Sequence, residues 1–499
     1  MVDVPARVTS RQQRDRAKCS RFGGSSRKYS DARRRQSRVI HEPNRPKSEP
    51  RHRAKWYGSV LVRTRTGCRR LAPGIRGDRR LGRTGYTCQV TERVRAVLRS
   101  RSIRVVGLLV IQASFGAAFA VLTARSLGPA DRGVVVIMTT LGSFLMLLGS
   151  LGAATGGRML LSQSAPDYGV RRHRDVTRLL SSAHVLSMML VGWPLLAFTH
   201  AWRGWVVGVV FALYGVAMVA VYLMREALHG VGLHTRATFA DLLMNAVLLV
   251  GFLALLKMEW LTIIGVSSLL LAAAFVEVVY LSWHLSRFKA EPMPAGARSI
   301  RDLLYLSSPA LLASLGQAFT IRGDRLVLGA LADAHAVGIY GTAATFAEMI
   351  WLIPMGVGQI VFRHAAQGRM EKVARLQALT LAAMLATGVI GAALAKPAVG
   401  LLLGPEYSES VPLIWILLVA AIPMGVYHLH APVLNGTGDL RGPAIAGGVS
   451  AVVLVGICVV SIPYIGAYGA ALGSFVAYCL MAVIAARRSR RLFATEGSS

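Results

Sequence analysis

Charged side chains inside long apolar stretches are the groups in this sequence that could do chemistry. Arg322, Asp324 and Arg325 lie together in an apolar stretch that continues to Leu331. A charge inside a bilayer is costly, so such residues tend to face a cavity or a charged partner. Arg322 and Arg325 are three residues apart and would share a helix face, with Asp324 roughly opposite to Arg322. Two interpretations stay open: the group lines a cavity, or it is solvated at the helix end, since the 20 residues from Asp302 to Arg322 span about 30 Å.

Three carboxyl groups lie in other apolar stretches and, together with Asp324, are candidates for ion coupling. Glu348 lies near the middle of its stretch, where it could carry a proton or form an ion pair with an Arg of the preceding helix. Its helix carries a stripe at spacings of four, three, four, three and four residues: Gly341, Thr345, Glu348, Leu352, Met355 and Gln359. Glu277 lies well inside its apolar run, and a helix-packing hydrogen bond is the alternative to a coupling role. Asp241 and Asn245 are four residues apart and would share one helix face. They could form part of a gate, or they could lie at a helix end that is solvated.

Arg158 and Gln112 complete the candidate substrate-binding set with Arg322 and Arg325. Arg158 lies near one end of the second apolar stretch, so its side chain could instead extend to the membrane interface. Gln112 could line a cavity or form a hydrogen bond within the helix bundle. The histidines and the five cysteines show no metal-ligand spacing, and no Walker loop is present. We therefore expect no metal, no cofactor and no enzymatic activity.

The elements that must position these residues are membrane-spanning helices. The chain is 54% hydrophobic and only 16% charged, with a mean hydropathy of +0.48, whereas soluble domains contain about 25% charged residues. A bilayer-spanning helix needs about 20 apolar residues. Twelve stretches qualify: 103–124, 133–160, 178–199, 204–224, 237–256, 261–284, 303–328, 337–362, 376–402, 411–434, 443–462 and 466–486. We therefore predict an all-α polytopic membrane protein with about 12 transmembrane helices.

Lys and Arg residues are distributed unequally between the two sets of predicted loops. Nineteen lie on the side of the N-terminus and five on the opposite side. Cytoplasmic loops of membrane proteins carry an excess of Lys and Arg. The pattern predicts that both termini lie in the cytoplasm and that the helix count is even.

Residues 1–100 differ from the rest of the chain, because they hold 28 of the 57 Lys and Arg residues. Such a basic segment, poor in apolar residues, is expected to be disordered. Runs such as 33–35 (RRR) could bind anionic lipid or nucleic acid, although nucleic acid is not an expected partner of the chain as a whole. An alternative interpretation is a mis-called start, since no Met occurs between Met1 and Met138 and translation could begin near Val94, Val97 or Leu98.

The two halves of the hydrophobic region repeat each other weakly. Residues 228–232 (LHGVG) resemble residues 434–438 (LNGTG) at an offset of 206. Residues 247–251 and 452–456 correspond at an offset of 205, as do Gly133 and Gly338. Six spans per half give parallel repeats around an axis along the membrane normal, with a site at their interface. We predict two six-helix bundles, 101–290 and 291–491, around a central cavity.

Four ordered motifs resemble the polysaccharide flippase family of the multidrug/oligosaccharidyl-lipid/polysaccharide flippase superfamily. They are residues 124–133 (ARSLGPADRG), 323–329 (GDRLVLG) with 337–340 (VGIY), 403–407 (LGPEY) and 435–438 (NGTG). Each motif alone is loose, but their order and spacing over residues 100–490 make the resemblance moderately specific. The resemblance implies two helix bundles in a V around a central cavity.

The resemblance also implies a function and a site. Family members move lipid-linked oligosaccharides across the bacterial cytoplasmic membrane. The implied substrate is a polyprenyl-pyrophosphate-linked glycan, whose phosphates suit the two-pronged guanidinium of Arg. Glycosyltransferases and a polysaccharide polymerase are the further partners implied. Transport would then proceed by alternating access, in which the bundles rock to release the glycan on the opposite side.

Two other functions remain as alternatives at this point. The same fold could export amphipathic drugs, driven by a cation gradient. A non-transporting membrane scaffold could recruit envelope-building enzymes through its basic tail.

Overall fold

A computed structural model describes residues 101–163, 165, 167–288, 299–365, 367, 369–439 and 441–496. The described residues all belong to one compact unit. The predictions of disorder and of an alternative start for residues 1–100 lie outside the described residues.

Twelve helices, α1 to α12, follow one another along the described chain. A continuous helical stretch, Arg101–Ser150, contains α1 (101–127) and α2 (129–150), which meet at Gly128, where φ is 72° and ψ is 170°. Ala153–Ser162 continues α2. The others are α3 (Val170–Phe198), α4 (Trp205–Gly230), α5 (His234–Lys257), α6 (Ile263–Ser286), α7 (Ile300–Leu331), α8 (Ala334–Glu348, Met349–Trp351 and Leu352–Ala365), α9 (Met370–Leu402), α10 (Ser410–Gly436), α11 (Arg441–Ile465) and α12 (Ala467–Glu496).

The predicted all-α architecture is confirmed for the part of the chain that the structure describes. Eleven helical stretches there are long and apolar enough to cross a membrane. The first of them, Gly107–Ser150, contains both α1 and α2. All twelve predicted spans therefore correspond to helices. This outcome follows from the bilayer itself, where only a helix or a closed barrel satisfies the backbone polar groups.

The predicted internal repeat appears in the turns that join α4 to α5 and α10 to α11. The Leu233 amide donates to the Leu228 carbonyl at 2.8 Å, and the Asp439 amide donates to the Leu434 carbonyl at the same distance. Gly232 and Gly438 both have positive φ, 79° and 89°. A residue in this left-handed conformation after a helix is usually Gly, because a Cβ would be strained there. The two turns thus have the same geometry at an offset of 206.

The repeat also forms a symmetric contact between the first six helices (lobe 1) and the last six (lobe 2). A methyl group on Gly133 of α2 would overlap the carbonyl oxygen of Ala334 at the start of α8. A methyl group on Gly338 of α8 would overlap the carbonyl oxygen of Pro129 at the start of α2. Both pairs of equivalent residues are 205 apart. Reciprocal contact of this kind is the mark of twofold symmetry, here relating two parallel repeats.

A second set of contacts between the lobes lies further along α2. Gly152 and Gly156 pack against Ser307 of α7 so closely that a methyl group on either would overlap it. Between the two ends, Phe144 of α2 and Phe319 of α7 have ring centroids 4.6 Å apart. Small residues therefore allow close helix contact here, and the two lobes contact each other at both ends of α2.

Irregular turns precede a proline in two of the membrane-spanning helices. A π-helical turn, Met188–Gly192, precedes Pro194 in α3. A 3₁₀ turn, Met349–Trp351, precedes Pro354 in α8. Pro309 and Pro423 lie inside uninterrupted helices. Neighbouring helices thus accommodate two of the four prolines without a change of helix type.

Candidate functional site

Arg322 faces the other lobe from the middle of α7. It lies one turn beyond Phe319, whose ring packs on Phe144 of α2, so both side chains are on the α7 face directed at lobe 1. It is close enough to Tyr214 of α4 to act on it electrostatically. Its side chain is exposed, and it makes no hydrogen bond or ion pair with any described residue. The helix continues nine residues beyond it, to Leu331, so Arg322 is not at the helix end.

Arg325 has a different environment, although it lies only three residues away. Its guanidinium forms an ion pair with Glu348 of α8, and the two side chains are 8% and 22% exposed. The interhelical ion pair considered for Glu348 is therefore present. The predicted stripe on α8 does not continue regularly, because the 3₁₀ turn begins directly after Glu348. The side chain of Gln359 lies outside the described residues.

Asp324 points away from Arg322, as predicted, and connects three helices of lobe 2. Its carboxylate accepts hydrogen bonds from the hydroxyl of Tyr340 on α8 and from the hydroxyl of Ser474 on α12, the latter at 2.7 Å. It also accepts the backbone amide of Arg325 at 2.8 Å. The residue is only 2% exposed. Asp324 is thus the acceptor on which the polar core of lobe 2 depends.

We expect Asp324→Ala to destabilise lobe 2 by roughly 1–3 kcal/mol, because it leaves buried hydroxyl groups without their acceptor. Asp324→Asn keeps one carbonyl oxygen as an acceptor and should cost less. Thermal unfolding of the purified protein in detergent would measure both. Asp175→Ala on α3, where the carboxylate is 40% exposed, is the matched control. An equal change in the 324 and 175 variants would contradict the assignment.

A second group of charged residues lies inside lobe 1. Arg225 of α4 forms an ion pair with Asp241 of α5, and the two side chains are 24% and 19% exposed. Asn245 donates to the backbone carbonyl of Asp241 at 2.8 Å. The interpretation of Asp241 as a solvated helix end is therefore wrong, because an arginine of the neighbouring helix pairs with it. Glu277 of α6 is completely buried nearby, and neither carboxylate oxygen has a hydrogen-bond partner among the described residues.

The remaining two predicted site residues also belong to lobe 1. Arg158 of α2 forms an ion pair of 2.9 Å with Glu226 of α4, and its side chain is 49% exposed. Gln112 of α1 has a buried side-chain oxygen with no hydrogen-bond partner in the described part of the chain. The candidate residues thus do not form one cluster. They fall into a lobe 1 group, a lobe 2 group and Arg322 between the lobes.

Arg132 is a further candidate residue, which the predicted spans left in a loop. Arg132 lies inside α2 and is 7% exposed, and its Nε has no partner among the described residues. It acts electrostatically on Tyr407 and is itself influenced by Arg325. The available signal was its place inside the motif at 124–133. Arg225 was missed in the same way, because α4 extends to Gly230.

Two of the four motifs contact each other at the end of the molecule where α1 meets α2. The hydroxyl of Tyr407, in the turn before α10, donates to the backbone carbonyl of Ala124 at 3.0 Å. Arg125 donates to the backbone carbonyl of Leu401 at 3.3 Å. Burial raises the pKa of Tyr407 above its ordinary range. The motifs at 124–133 and 403–407 therefore join α1 to lobe 2.

A cavity of about 600 Å³ lies between the lobes at the same end. Lobe 1 contributes His200, Trp202 and Arg203, and lobe 2 contributes Asp333 and His335. The residues that the structure describes contain no group of three or more His, Cys, Asp or Glu that could hold a metal ion.

Solved structures with the same fold are transporters. The lipid II flippase MurJ, in an inward closed conformation, has a TM-score of 0.65 at 13% identity, covering 79% of this chain and 87% of the MurJ chain. An inward-facing multidrug resistance transporter of the MATE family, within the MOP superfamily, has a TM-score of 0.63 at 13% identity and covers 80% and 100%. An outward-facing MATE transporter has a TM-score of 0.57 at 15% identity and covers 80% and 96%. At these identities the similarity concerns the fold.

The sequence itself matches a family model. No curated protein matches the chain. The model described as "Polysaccharide biosynthesis protein" matches residues 122–412, which is more than half of the chain and includes Arg322, Arg325 and Glu348. The protein therefore belongs to this family of polysaccharide biosynthesis proteins.

Proposed function

We propose that the protein is a flippase, which moves a polyprenyl-pyrophosphate-linked oligosaccharide across the bacterial cytoplasmic membrane by alternating access. The proposal includes cytoplasmic termini, as the loop charges predict, and a supply of substrate by glycosyltransferases. Family membership supports a role in polysaccharide biosynthesis. The fold, shared with a lipid II flippase, supports a role in moving a lipid-linked substrate.

The observation that carries the proposal is the guanidinium of Arg322 between the lobes, which has no hydrogen-bond or ion-pair partner among the described residues. It lies about 13 Å from the end of α7, where an uncompensated charge is unfavourable. Arg132 of α2 adds a second buried guanidinium in lobe 1, whose Nε has no partner among the described residues. A pyrophosphate entering between the lobes would compensate this charge, and an arginine fork can donate two hydrogen bonds to it.

A cation-driven drug exporter is the second candidate, and the similarity to MATE transporters favours it. Resistance or dye-efflux assays in cells would separate the two functions. An exporter should lower the accumulation of amphipathic cations, whereas a flippase should leave it unchanged.

We expect Arg322→Gln to slow flipping of a lipid-linked oligosaccharide in liposomes by roughly ten- to a hundredfold, since a hydrogen bond to a charged group contributes about 1.5–3 kcal/mol. Arg322→Lys should retain part of the activity, because it keeps the charge but loses the fork. Arg178→Gln, at a side chain that is 77% exposed, is the control. Full activity of Arg322→Gln would overturn the assignment of this residue.

A further inference from the structure

The cavity of about 600 Å³ between the lobes is lined by five polar or aromatic side chains and four alanines. His200, Trp202 and Arg203 come from the loop between α3 and α4 in lobe 1. Asp333 and His335 flank the first residue of α8 in lobe 2. Small-molecule sites have volumes of this order and often form where two domains meet, with a few polar groups that fix the ligand. The cavity therefore has the size, the place and the lining of a ligand site.

The polar groups of the lining have donors and acceptors to spare. Arg203 donates through Nη1 to two backbone carbonyls of its own loop, at 3.1 and 3.3 Å, which leaves Nε and Nη2 unused within the described residues. Asp333 accepts the Ala336 amide through Oδ1 and so caps α8, which leaves Oδ2. The imidazoles of His200 and His335 make no hydrogen bond to any residue that the structure describes. All four side chains are exposed to the cavity or to solvent.

Trp202 is held in a fixed orientation by two further tryptophans at the same end of lobe 1. Its ring centroid is 6.0 Å from that of Trp193 and 5.5 Å from that of Trp205, and both contacts are edge to face. The ring also rests on Gly208 of α4, where a methyl group would overlap it. Trp205 is 69% exposed, which is typical of the aromatic belt at a membrane interface, whereas Trp202 lines the cavity. A ligand that contacts Trp202 thus meets a ring that is already immobilised, which lowers the entropic cost of binding.

The loop that carries the lobe 1 residues is strained at His200. Its φ is 57°, in the left-handed region that residues other than glycine rarely adopt. The Ala201 amide donates to the Leu196 carbonyl at 3.0 Å, so His200 occupies the position after a helix at which glycine is usual. A histidine there costs stability that a glycine would not. Residues in such conformations cluster at ligand sites, and this one places an imidazole in the cavity.

Charge and hydrogen-bonding capacity decide which ligand the lining fits. With the histidines neutral, the formal charges of Arg203 and Asp333 cancel, so the lining does not compensate an anion such as pyrophosphate. Sugar hydroxyls both donate and accept, and the lining supplies guanidinium donors, a carboxylate acceptor and two imidazoles that can do either. The C–H face of a sugar ring is apolar and stacks on aromatic rings such as that of Trp202. A neutral sugar therefore fits this cavity better than a phosphate group does.

The cavity lies at the end of the helix that carries Arg322. Ala332, which is part of the lining, directly follows α7. It lies ten residues beyond Arg322, which corresponds to about 15 Å along a helix. An oligosaccharide whose pyrophosphate is held at Arg322 would reach the cavity with its further sugars, whereas a single sugar on the pyrophosphate would be too short.

We infer that this cavity is a carbohydrate-binding site, which takes the sugars of the glycan that lie beyond the pyrophosphate. The identity of the ligand as the transported glycan rests on the proposed function, but sugar binding itself does not. With cytoplasmic termini, the cavity lies at the outer end of the molecule. The pyrophosphate and the sugars are then recognised at two separate places, and an assembled oligosaccharide is distinguished from a carrier with one sugar.

Sugar binding can be tested without any transport assay. The probe is the lipid-free oligosaccharide released by mild acid from the polyprenyl carriers of the cells that produce the protein, titrated calorimetrically into the full-length protein in lipid nanodiscs. His335→Ala, at an exposed residue, should weaken binding by roughly two- to tenfold, as expected for the loss of one hydrogen bond. Trp202→Ala should weaken it at least as much. Trp205→Ala removes a tryptophan of the same cluster that does not line the cavity, so it is the matched control and should bind normally.

Two results of this titration would overturn the inference. One is the absence of oligosaccharide binding to the wild-type protein, or binding that both His335→Ala and Trp202→Ala leave unchanged. The other is binding of inorganic pyrophosphate that His335→Ala abolishes, which would identify the cavity as an anion site.

The role in transport can be tested by flipping of two lipid carriers in liposomes. His335→Ala should slow flipping of the carrier with the complete oligosaccharide by roughly two- to tenfold and leave the carrier with one sugar unaffected. Equal slowing of both carriers would indicate a structural role of His335 and would overturn the assignment. If the wild-type protein flips neither carrier, the proposed function fails, and the calorimetric titration still decides whether the sugar site exists.

Discussion

Arg325→Ala is expected to destabilise the protein by about 3–5 kcal/mol, which is the cost of removing one partner of a buried ion pair. Glu348 would keep its charge on α8 without a counterion, since Arg325 is its ion-pair partner in the described residues. The same substitution also removes the positive charge that acts electrostatically on the buried carboxylate of Asp324. The free energy of unfolding in mild detergent, measured by denaturant titration, gives the magnitude.

The reversed pair Arg325→Glu with Glu348→Arg distinguishes the ion pair from simple packing. Each single reversal should prevent stable folding, whereas the double reversal should restore a part of the lost stability. The exposed pair Arg178 and Asp175, 3.7 Å apart, is the control, and its disruption should cost no more than about 1 kcal/mol. If the loss in free energy of unfolding in the double reversal equalled the sum of the losses in the two single reversals, the pairing energy would be negligible.

The twelve helices were predictable because hydrophobic length is a physical requirement of the bilayer. Their ends were less predictable, and the reason is visible at α4. The predicted span ended at residue 224, before the first charged residue, but the helix continues to Gly230 and stops only at the turn around Gly232. This extension places Arg225 and Glu226 inside the helix, where each forms an ion pair. A hydropathy pattern locates the apolar part of a helix and not its end.

The candidate site was predictable in its residues but not in their partners. The spacing of Arg322 and Arg325 predicted a common face, yet Arg322 is exposed toward lobe 1 and Arg325 is buried against α8. The difference arises from where α8 packs, and no local pattern encodes that position. The repeat offset related Gly133 to Gly338, but their direct contact follows only from how the repeats associate.

The contact between Gly133 and Gly338 leads to the second prediction with a large expected effect. Gly133→Ala would place a methyl group against the backbone carbonyl of Ala334, which no rotamer change can move, and Gly338→Ala would do the same at Pro129. Overpacking of this kind costs about 1–3 kcal/mol. Because the strain exists only while the lobes touch at this end, it should favour a conformation open there by roughly 5- to 150-fold.

Gly156→Ala is expected to open the opposite end of the molecule, because Gly156 lies at the other end of α2. Its methyl group would meet the side-chain oxygen of Ser307, which can rotate, so the shift should be smaller and should favour opening at that end. Spin-label distances between Glu259 and Tyr464 would report the Gly133 end, and distances between Gln163 and Arg369 the other, in a variant without cysteines. All four positions are exposed.

Gly400→Ala, with open space around the glycine, controls for the added methyl group and should leave both distances unchanged. The directions in which the two pairs of distances change decide whether the two ends of α2 open independently. If alanine at 133 and at 156 changed the same pair of distances in the same direction, the two ends of α2 would not act as separate gates. If each alanine instead lengthens only the distance at its own end, the glycines that allow the lobes to touch also allow each end to close. The twofold relation between α2 and α8 would then be the basis of alternating access.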